Sequence, residues 1–344
     1  MDNKQKGIRI RSQILKNLRF HPKDIVKHIS SIFNITPQAV YRHIKYLENE
    51  KRLVSTGQRK GKQYFLGDIR EHIISFEITE GFAEDIIWRD HFAYLLDGEP
   101  DNIVEICHYG FTEMLNNAID HSESEGVHIG LRRDEENILI AIADDGEGIF
   151  RRIKRLCNLE DENQALFELS KGKLTTDPEN HTGEGIFFTS RSFDKFAILS
   201  KGLHFAHDDN EEYDFLEEVD DNFGELGTQV QMLLRRNSKR KLQSVFDGFT
   251  AGPEDFQFNK TIIPVKLAQY GNEKLVSRSQ AKRLLTRIDK FEHVIFDFEG
   301  VEGVGQAFAD EIFRVYANKN PNITLIPKKM VENVQKMVKR ALNA

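Results

Sequence analysis

The chain has 344 residues, of which 39% are hydrophobic and 30% are charged, a composition that fits two or three globular domains. No apolar run reaches the roughly 20 residues that a bilayer-spanning helix needs, and the first residues lack the apolar stretch of a signal peptide. We therefore predict a cytoplasmic location without membrane contact. The two cysteines have no metal-type spacing and are expected to be reduced thiols.

Charge is distributed unevenly along the chain. Residues 1–70 contain 16 Lys and Arg but only 5 Asp and Glu, a local net charge of +11. The remaining residues contain 32 basic and 50 acidic side chains, a net charge of −18. A basic segment attached to an acidic body indicates an anionic partner for that segment alone.

The basic segment predicts three helices followed by a hairpin. Residues 8–18 and 23–31 fit the first two helices. For the third, Thr36 is a favourable N-cap and Pro37 a favourable first residue. The apolar residues of this third helix share one buried face: Val40, Ile44 and Leu47. The polar residues turned outward are Gln38, Tyr41, Arg42 and Lys45.

Two short strand-like runs flank a basic tip at residues 57–61. This order of helices and hairpin resembles the winged helix-turn-helix family, in which the third helix enters the DNA major groove and the hairpin contacts phosphates. The resemblance implies double-stranded DNA as the partner of residues 1–70. The DNA-contacting residues would be Gln38, Tyr41, Arg42, Lys45, Arg59, Lys60 and Lys62. Use of the fold for protein contact or for homodimer formation is the alternative.

Three short motifs stand out in the middle of the chain. In the first, Glu113 and Asn117 lie four residues apart on a predicted helix that starts near residue 102. The two side chains therefore project from one helix face, one turn apart. A carboxylate can orient or deprotonate a water molecule, and an amide oxygen is a hard ligand suited to Mg²⁺.

In the second motif, a predicted strand ends at Asp144 and is followed by Gly146 and Gly148. An ionised Asp accepts hydrogen bonds but donates none, so it can pair with the exocyclic amine of adenine and would repel the keto oxygen of guanine. The two glycines allow the backbone to approach a base and ribose closely.

In the third motif, Gly183 and Gly185 precede a predicted helix, whose first N–H groups would face phosphate oxygens. Further along, Gly227 and Thr228 precede a predicted strand.

The order and spacing of these motifs resemble the GHKL superfamily, which includes gyrase-type ATPases, heat-shock-90 chaperones, histidine kinases and anti-sigma serine kinases. The resemblance covers residues 75–236 and implies ATP and Mg²⁺ as ligands. Glu113 would be the general base and Asn117 the Mg²⁺ ligand, and residues 150–182 would form a lid. The residues implied in ATP binding are Asn117, Asp144, Gly146, Gly148, Lys173, Gly183, Gly185 and Thr228, with Lys171 as a further candidate phosphate contact.

An acidic run at residues 208–221 lies between the third motif and the Gly-Thr strand. One interpretation is a solvated loop. The other is a competitor of DNA for the basic segment, which needs direct contact because salt screens charges over about 8 Å.

Strands and helices alternate over residues 258–344, which indicates an α/β unit. A capping box formed by Ser277 and Gln280 marks the start of one helix. The stretch 294–313 resembles the central strand and helix of STAS domains, although residues 305–307 carry no hydroxyl group for phosphorylation. The resemblance implies an interaction module for a protein partner.

The chain as a whole is predicted to be α+β: a winged helix-turn-helix at 1–70, a GHKL α/β sandwich with a mixed sheet at 75–236, and a small STAS-like α/β domain at 258–344. The predicted function is an ATP-binding, ATP-hydrolysing transcriptional regulator in which the nucleotide state controls DNA binding. The alternatives are an anti-sigma-type serine/threonine protein kinase that acts on a separate partner, and a nucleotide-binding scaffold without hydrolysis.

Overall fold

The computed structural model describes residues 3–79, 83–174, 183–208, 215–218, 227–250, 257–269 and 274–343. Within these ranges the fold is α+β, as predicted, and its buried hydrophobic side chains form three clusters. No described helix is both long enough and apolar enough to cross a membrane.

The N-terminal unit contains three helices and an antiparallel hairpin, as the sequence predicts. Its elements are α1 (Asn3–Asn17), α2 (Ile25–Phe33), α3 (Pro37–Asn49), β1 (Leu53–Thr56) and β2 (Gln63–Leu66). Thr36 caps α3, because its Oγ1 accepts a hydrogen bond from the Ala39 N–H at 3.3 Å. The predicted buried face of α3 packs into the first cluster through Val40, Ile44 and Leu47. The opposite face is thereby turned to solvent.

The central unit is built on a seven-stranded sheet among the described strands. In sequence order these are β3 (Arg70–Glu77), β4 (Gly126–Arg133), β5 (Asn137–Asp144), β6 (Lys195–Ser200), β7 (Leu203–Asp208), β8 (Phe215–Glu218) and β9 (Thr228–Arg235). Their spatial order is β3-β4-β5-β9-β6-β7-β8. Every neighbouring pair is antiparallel, so the prediction of a mixed sheet was wrong in this respect. The reason is that β9 inserts between β5 and β6, which run in the same direction.

Helices cover one face of this sheet. They are α4 (Glu84–Ile87), α5 (Asp101–His121), α6 (Ile149–Cys157), α7 (Glu162–Lys171), α8 (Gly185–Ser192) and α9 (Leu242–Asp247). The long α5 packs against the sheet through Phe111, Met114 and Leu115, all of which are buried. The end of β5 and the start of α8 therefore lie beside the C-terminal half of α5.

The C-terminal unit is a parallel three-stranded sheet with helices. Its elements are β10 (Lys260–Pro264), α10 (Arg278–Leu285), β11 (His293–Asp297), α11 (Gln306–Asp310), α12 (Ala317–Lys319), β12 (Thr324–Lys328) and α13 (Glu332–Leu342). The predicted capping box at Ser277 and Gln280 is present. Strand β10 ends at Pro264, because residues 265–268 form a 3₁₀ turn.

The core of the C-terminal unit extends into the central unit. Phe167 of α7 and Phe187 and Phe188 of α8 belong to the same buried cluster as the C-terminal helices and strands. The Phe258 ring lies 4.7 Å from that of Phe187 and 5.3 Å from that of Phe291. The predicted lid helix α7 thus packs against the C-terminal unit.

Candidate functional site

A cavity lies between α5, the end of β5 and the start of α8. Most residues of the three predicted motifs line it together with Thr228 of the later Gly-Thr pair: Glu113, Asn117, Asp144, Gly148, Gly183 and Gly185. Gly146 lies directly beside it, because its N–H donates to Asp144 Oδ1 at 3.0 Å. The structure therefore brings together residues that are up to 115 positions apart, as Glu113 and Thr228 are.

Asp144 ends β5 and is fixed by the backbone around it. Its Oδ1 accepts hydrogen bonds from the N–H groups of Gly146, at 3.0 Å, and of Thr228, at 3.2 Å. Among the described residues both bonds end on Oδ1, so Oδ2 is left to accept a hydrogen bond from a ligand. Thr228 thus supports Asp144 through its backbone N–H. The Thr228 Oγ1 accepts a bond from the Ile149 N–H at 3.0 Å and so fixes the start of α6.

Burial raises the pKa of Asp144 from 3.8 to about 6, because desolvation outweighs the two backbone N–H groups. The ionised form is the stronger acceptor for a ligand amine, because both oxygens then accept and neither donates. We therefore expect the affinity for Mg-ATP to fall as the pH drops below about 6, towards tenfold per pH unit. Titration calorimetry between pH 5 and pH 8, in buffers of matched ionic strength, measures this directly. An affinity that does not change over this range would contradict the assignment.

Glu113 and Asn117 lie on the cavity face of α5, one turn apart. Gly185 sits directly against Glu113, and a Cβ added to Gly185 would overlap the Glu113 carboxylate. The start of α8 therefore lies beside the predicted general base. The first N–H groups of this helix make its end electropositive, which favours a phosphate group.

The Asn117 side chain fits a role as Mg²⁺ ligand. Its amide nitrogen is buried without a hydrogen-bond partner among the described residues, which is unusual for a buried polar group. A phosphate oxygen would supply the acceptor while the amide oxygen faces a metal ion. Among the described residues no group of three or more His, Cys, Asp or Glu side chains is arranged to hold a metal ion. A Mg²⁺ held by one amide oxygen, phosphate oxygens and water requires no such cluster.

The remaining lining is largely apolar and suits a planar base. Its larger apolar members are Met114, Ile142, Ile149, Ile153, Leu169, Leu174, Ile186 and Val230, and Ala118, His121, Ser122, Arg152 and Glu184 complete the lining. Apolar side chains combined with convergent polar groups are the usual composition of a small-molecule site.

Arg152 is a residue of the cavity that none of the sequence motifs indicated. Arg152 is the only Arg or Lys in the described lining, and its side chain is only 17% exposed. It donates to Glu123 at 2.5 Å and to Glu147 at 3.4 Å, and its Nε is buried without a partner among the described residues. The spacing of Ile149, Arg152 and Ile153 on one face of α6 could have indicated it.

Lys173 was predicted to contact ATP phosphates, but the structure places it elsewhere. Its Nζ donates to the Lys290 carbonyl oxygen at 3.0 Å and lies 4.9 Å from the centre of the Phe291 ring. Lys171, the second candidate, is buried against the C-terminal unit. Neither lysine lines the cavity, because the end of α7 turns both side chains away from it.

A second cavity adjoins the first at Glu113, Glu184 and Gly185, which line both. Its other walls are Tyr109, Phe188, Phe246, Thr250 and Phe258. Burial raises the pKa of Glu184 and of Tyr109. A hydroxyl group that reached Glu113 through this second cavity would therefore pass along aromatic side chains.

The predicted DNA-binding residues lie on one side of the N-terminal unit. Gln38, Tyr41, Arg42 and Lys45 are exposed on α3. Arg59 and Lys62 of the hairpin line a cleft with Lys23, Lys27 and Tyr41. The Lys60 side chain is outside the described part of the structure. The arrangement concentrates four basic side chains beside the exposed face of α3.

The acidic run 208–221 falls largely outside the described residues. Asp208 ends β7 and forms an ion pair with Lys195 at 2.6 Å. Residues 215–218 form β8, the outermost strand beside β7. The competitor hypothesis remains a prediction.

Residues 280–335 match a family described as a STAS-like domain of unknown function, DUF4325. The match runs from α10 into α13 and confirms the predicted STAS-like character of this part of the chain.

The chain is also similar to the heme sensor protein HssS of Staphylococcus saprophyticus, with 28% identity over 147 residues. The match takes up 38% of this chain and 31% of the length of that protein. Similarity of this extent covers only one region of either chain.

Proposed function

We propose that this chain is an ATP-binding, ATP-hydrolysing transcriptional regulator in which the nucleotide state controls DNA binding by the N-terminal unit. The observation that carries the proposal is the meeting of Asp144, Asn117, Glu113 and the start of α8 in one cavity. The GHKL resemblance of the motifs gives each of these groups a role. The partial similarity to a sensor protein adds support for nucleotide-binding, kinase-like activity.

In the proposed complex, the adenine amine donates to Asp144 and the base lies among the aliphatic side chains. The triphosphate extends towards Gly183 and Gly185 at the start of α8, and Asn117 holds Mg²⁺. Mg²⁺ held by Asn117 would neutralise phosphate charge and make the terminal phosphorus more electrophilic. Glu113 orients a water molecule and accepts its proton as the water oxygen bonds to the γ-phosphorus. The bond from phosphorus to the bridging oxygen breaks, and ADP and phosphate leave.

The N-terminal unit is the proposed DNA reader. The exposed polar face of α3 would enter the major groove, and the basic hairpin cleft would contact phosphates. The local net charge of +11 favours an anionic partner.

Replacing Arg42 with Ala is expected to weaken DNA binding by about 1–3 kcal/mol and to relax the sequence preference at one position, because an arginine can read a base edge with two hydrogen bonds. Selection of bound duplexes from a random library, followed by sequencing, gives both quantities. Arg9→Ala is the matched control, since Arg9 is exposed on α1 outside the proposed surface. Equal sequence preferences for Arg42→Ala and the unmodified chain would contradict the role.

The proposed control of DNA binding by the nucleotide is tested by repeating the selection with and without Mg-ATP. A nucleotide that binds two states with a 100-fold difference in affinity shifts their balance by about 2.7 kcal/mol. The apparent Kd for the selected duplex should therefore change by tenfold or more on saturation with Mg-ATP. An unchanged Kd in a chain that binds both ligands would contradict the regulatory proposal.

The second cavity favours one further candidate function, phosphoryl transfer to a protein hydroxyl. Glu113 lines this cavity whereas Asp144 does not, and its aromatic wall suits a peptide segment. ATP labelled in the γ-phosphate separates the candidates. Free labelled phosphate supports hydrolysis, labelled protein supports the kinase, and neither supports a scaffold.

A further inference from the structure

Helix α7 lies between the cavity that Asp144 and Asn117 line, called the nucleotide cavity below, and the C-terminal unit, called the STAS-like unit below. It contributes side chains to both. Leu169 faces the cavity and lines it. Glu168 and Lys171 face the C-terminal unit and are each 1% exposed. A movement of α7 would therefore change both the lining of the cavity and the contact with the C-terminal unit.

Lys171 uses its ammonium group entirely on protein acceptors. Its Nζ lies 2.7 Å from Glu168 Oε1, 2.8 Å from the Thr286 carbonyl oxygen and 3.3 Å from the Arg283 carbonyl oxygen. These three acceptors match the three N–H groups that a lysine can donate. A buried ammonium is tolerated only with such complete pairing, so these contacts fix the position of α7 against the end of α10.

The chain after Lys171 is held in the same way. The Thr261 hydroxyl donates to the Lys171 carbonyl oxygen at 2.6 Å, and Lys290 Nζ donates to the Lys173 carbonyl oxygen at 3.1 Å. The next residue, Leu174, lines the nucleotide cavity. The Leu174 backbone also packs against Gly183, because a Cβ on Gly183 would lie 2.5 Å from the Leu174 carbonyl.

We propose that Lys171 is a positioning residue that couples the nucleotide cavity to the STAS-like unit. By tying α7 and Leu174 to α10, it makes occupation of the cavity and the arrangement of the STAS-like unit depend on each other. Coupling of this kind is reciprocal, so a protein bound to the STAS-like unit would change nucleotide affinity by the same factor. This inference rests on the proposed nucleotide function.

The test is hydrogen–deuterium exchange on the full chain with and without Mg-ADP. In the unmodified chain, Mg-ADP should slow exchange at residues 144–149, a segment of which Asp144, Gly148 and Ile149 line the cavity, and also at residues 278–291, none of which lines it. Lys171→Met should weaken Mg-ADP binding tenfold or more and abolish the protection at 278–291, while saturating Mg-ADP still protects 144–149. Lys282→Met, an exposed lysine of α10, should behave as the unmodified chain.

Thr261→Val is a milder second variant, since it removes one hydrogen bond to α7 at nearly constant volume. It should weaken binding two- to fivefold and reduce the protection at 278–291 in proportion. Mg-ADP that binds the unmodified chain without protecting 278–291 overturns the coupling alone. Unchanged affinity for Mg-ADP in both the Lys171 and Thr261 variants would also overturn the coupling alone. Failure of Mg-ADP to bind the unmodified chain overturns the proposed function and the coupling with it.

Discussion

Replacing Glu113 with Gln is expected to leave Mg-ATP bound with nearly unchanged affinity while lowering its turnover by about 10²–10⁴-fold. Gln keeps the size of the side chain and its fit against Gly185, but it cannot take a proton from the attacking water or hydroxyl. The same loss is expected for phosphate release and for transfer to protein, because both need a proton acceptor at this position. Single-turnover measurement with ATP labelled in the γ-phosphate separates chemistry from binding.

Glu105→Gln is the control for this prediction. Glu105 lies on the same helix but is exposed and does not line the cavity. It should hydrolyse ATP as the unmodified chain does. Turnover by Glu113→Gln within threefold of the unmodified chain would remove Glu113 from the role of general base.

Replacing Asp144 with Asn is expected to abolish Mg-ATP binding, with a loss of at least about 100-fold, or roughly 2.7 kcal/mol. The Asn oxygen would take over the bonds from Gly146 and Thr228, which leaves the amide nitrogen facing the ligand. That nitrogen is a donor, and it would oppose the donor amine of adenine. Fluorescence titration with an ATP analogue measures the loss.

The stability of Asp144→Asn distinguishes this effect from unfolding. The pKa of Asp144 is raised in the folded chain, so its ionisation lowers the free energy of unfolding as the pH rises from about 4 to above 6. Asn carries no charge, and the variant should therefore melt at the same or a higher temperature at pH 7. Asp145→Asn, at the exposed neighbouring position, should keep ATP affinity. A destabilised Asp144→Asn, or one that binds ATP normally, would contradict the assignment.

The residues that meet in the cavity were predictable because short-range chemistry identifies them. Asp144 follows a strand, Gly183 and Gly185 open a helix, and Glu113 and Asn117 share a helical face, all of which are local patterns. The buried face of α3 and the capping box at Ser277 are likewise local. Sequence periodicity and capping rules apply to such features without knowledge of the tertiary fold.

The two lysines of the lid could not be placed in this way. A lysine near a glycine-rich loop is typical of a phosphate contact, and nothing near Lys171 in sequence indicates that the carbonyl groups of Arg283 and Thr286 will surround it. Its pairing depends on how two units pack. The insertion of β9 between β5 and β6 is also a long-range event, and it changes every strand pairing at the centre of the sheet.

Domain organisation also depends on long-range packing, as the shared aromatic cluster shows. The motifs place the end of the central unit near residue 236, and the C-terminal unit begins near residue 258. Yet Phe187 and Phe188, which follow the third motif, contribute to the C-terminal core. Sequence segments therefore identify the units, whereas their shared core, and with it the proposed coupling, is visible only in three dimensions.

The most direct measurement is titration calorimetry of the full chain with ATP and with GTP in the presence of Mg²⁺. We expect saturable binding of ATP at one site, weakened by removal of Mg²⁺. GTP should bind at least about 100-fold more weakly, because the ionised Asp144 repels the keto oxygen of guanine. Absence of any heat or thermal stabilisation with Mg-ATP, or equal affinity for the two nucleotides, would contradict the proposed nucleotide site.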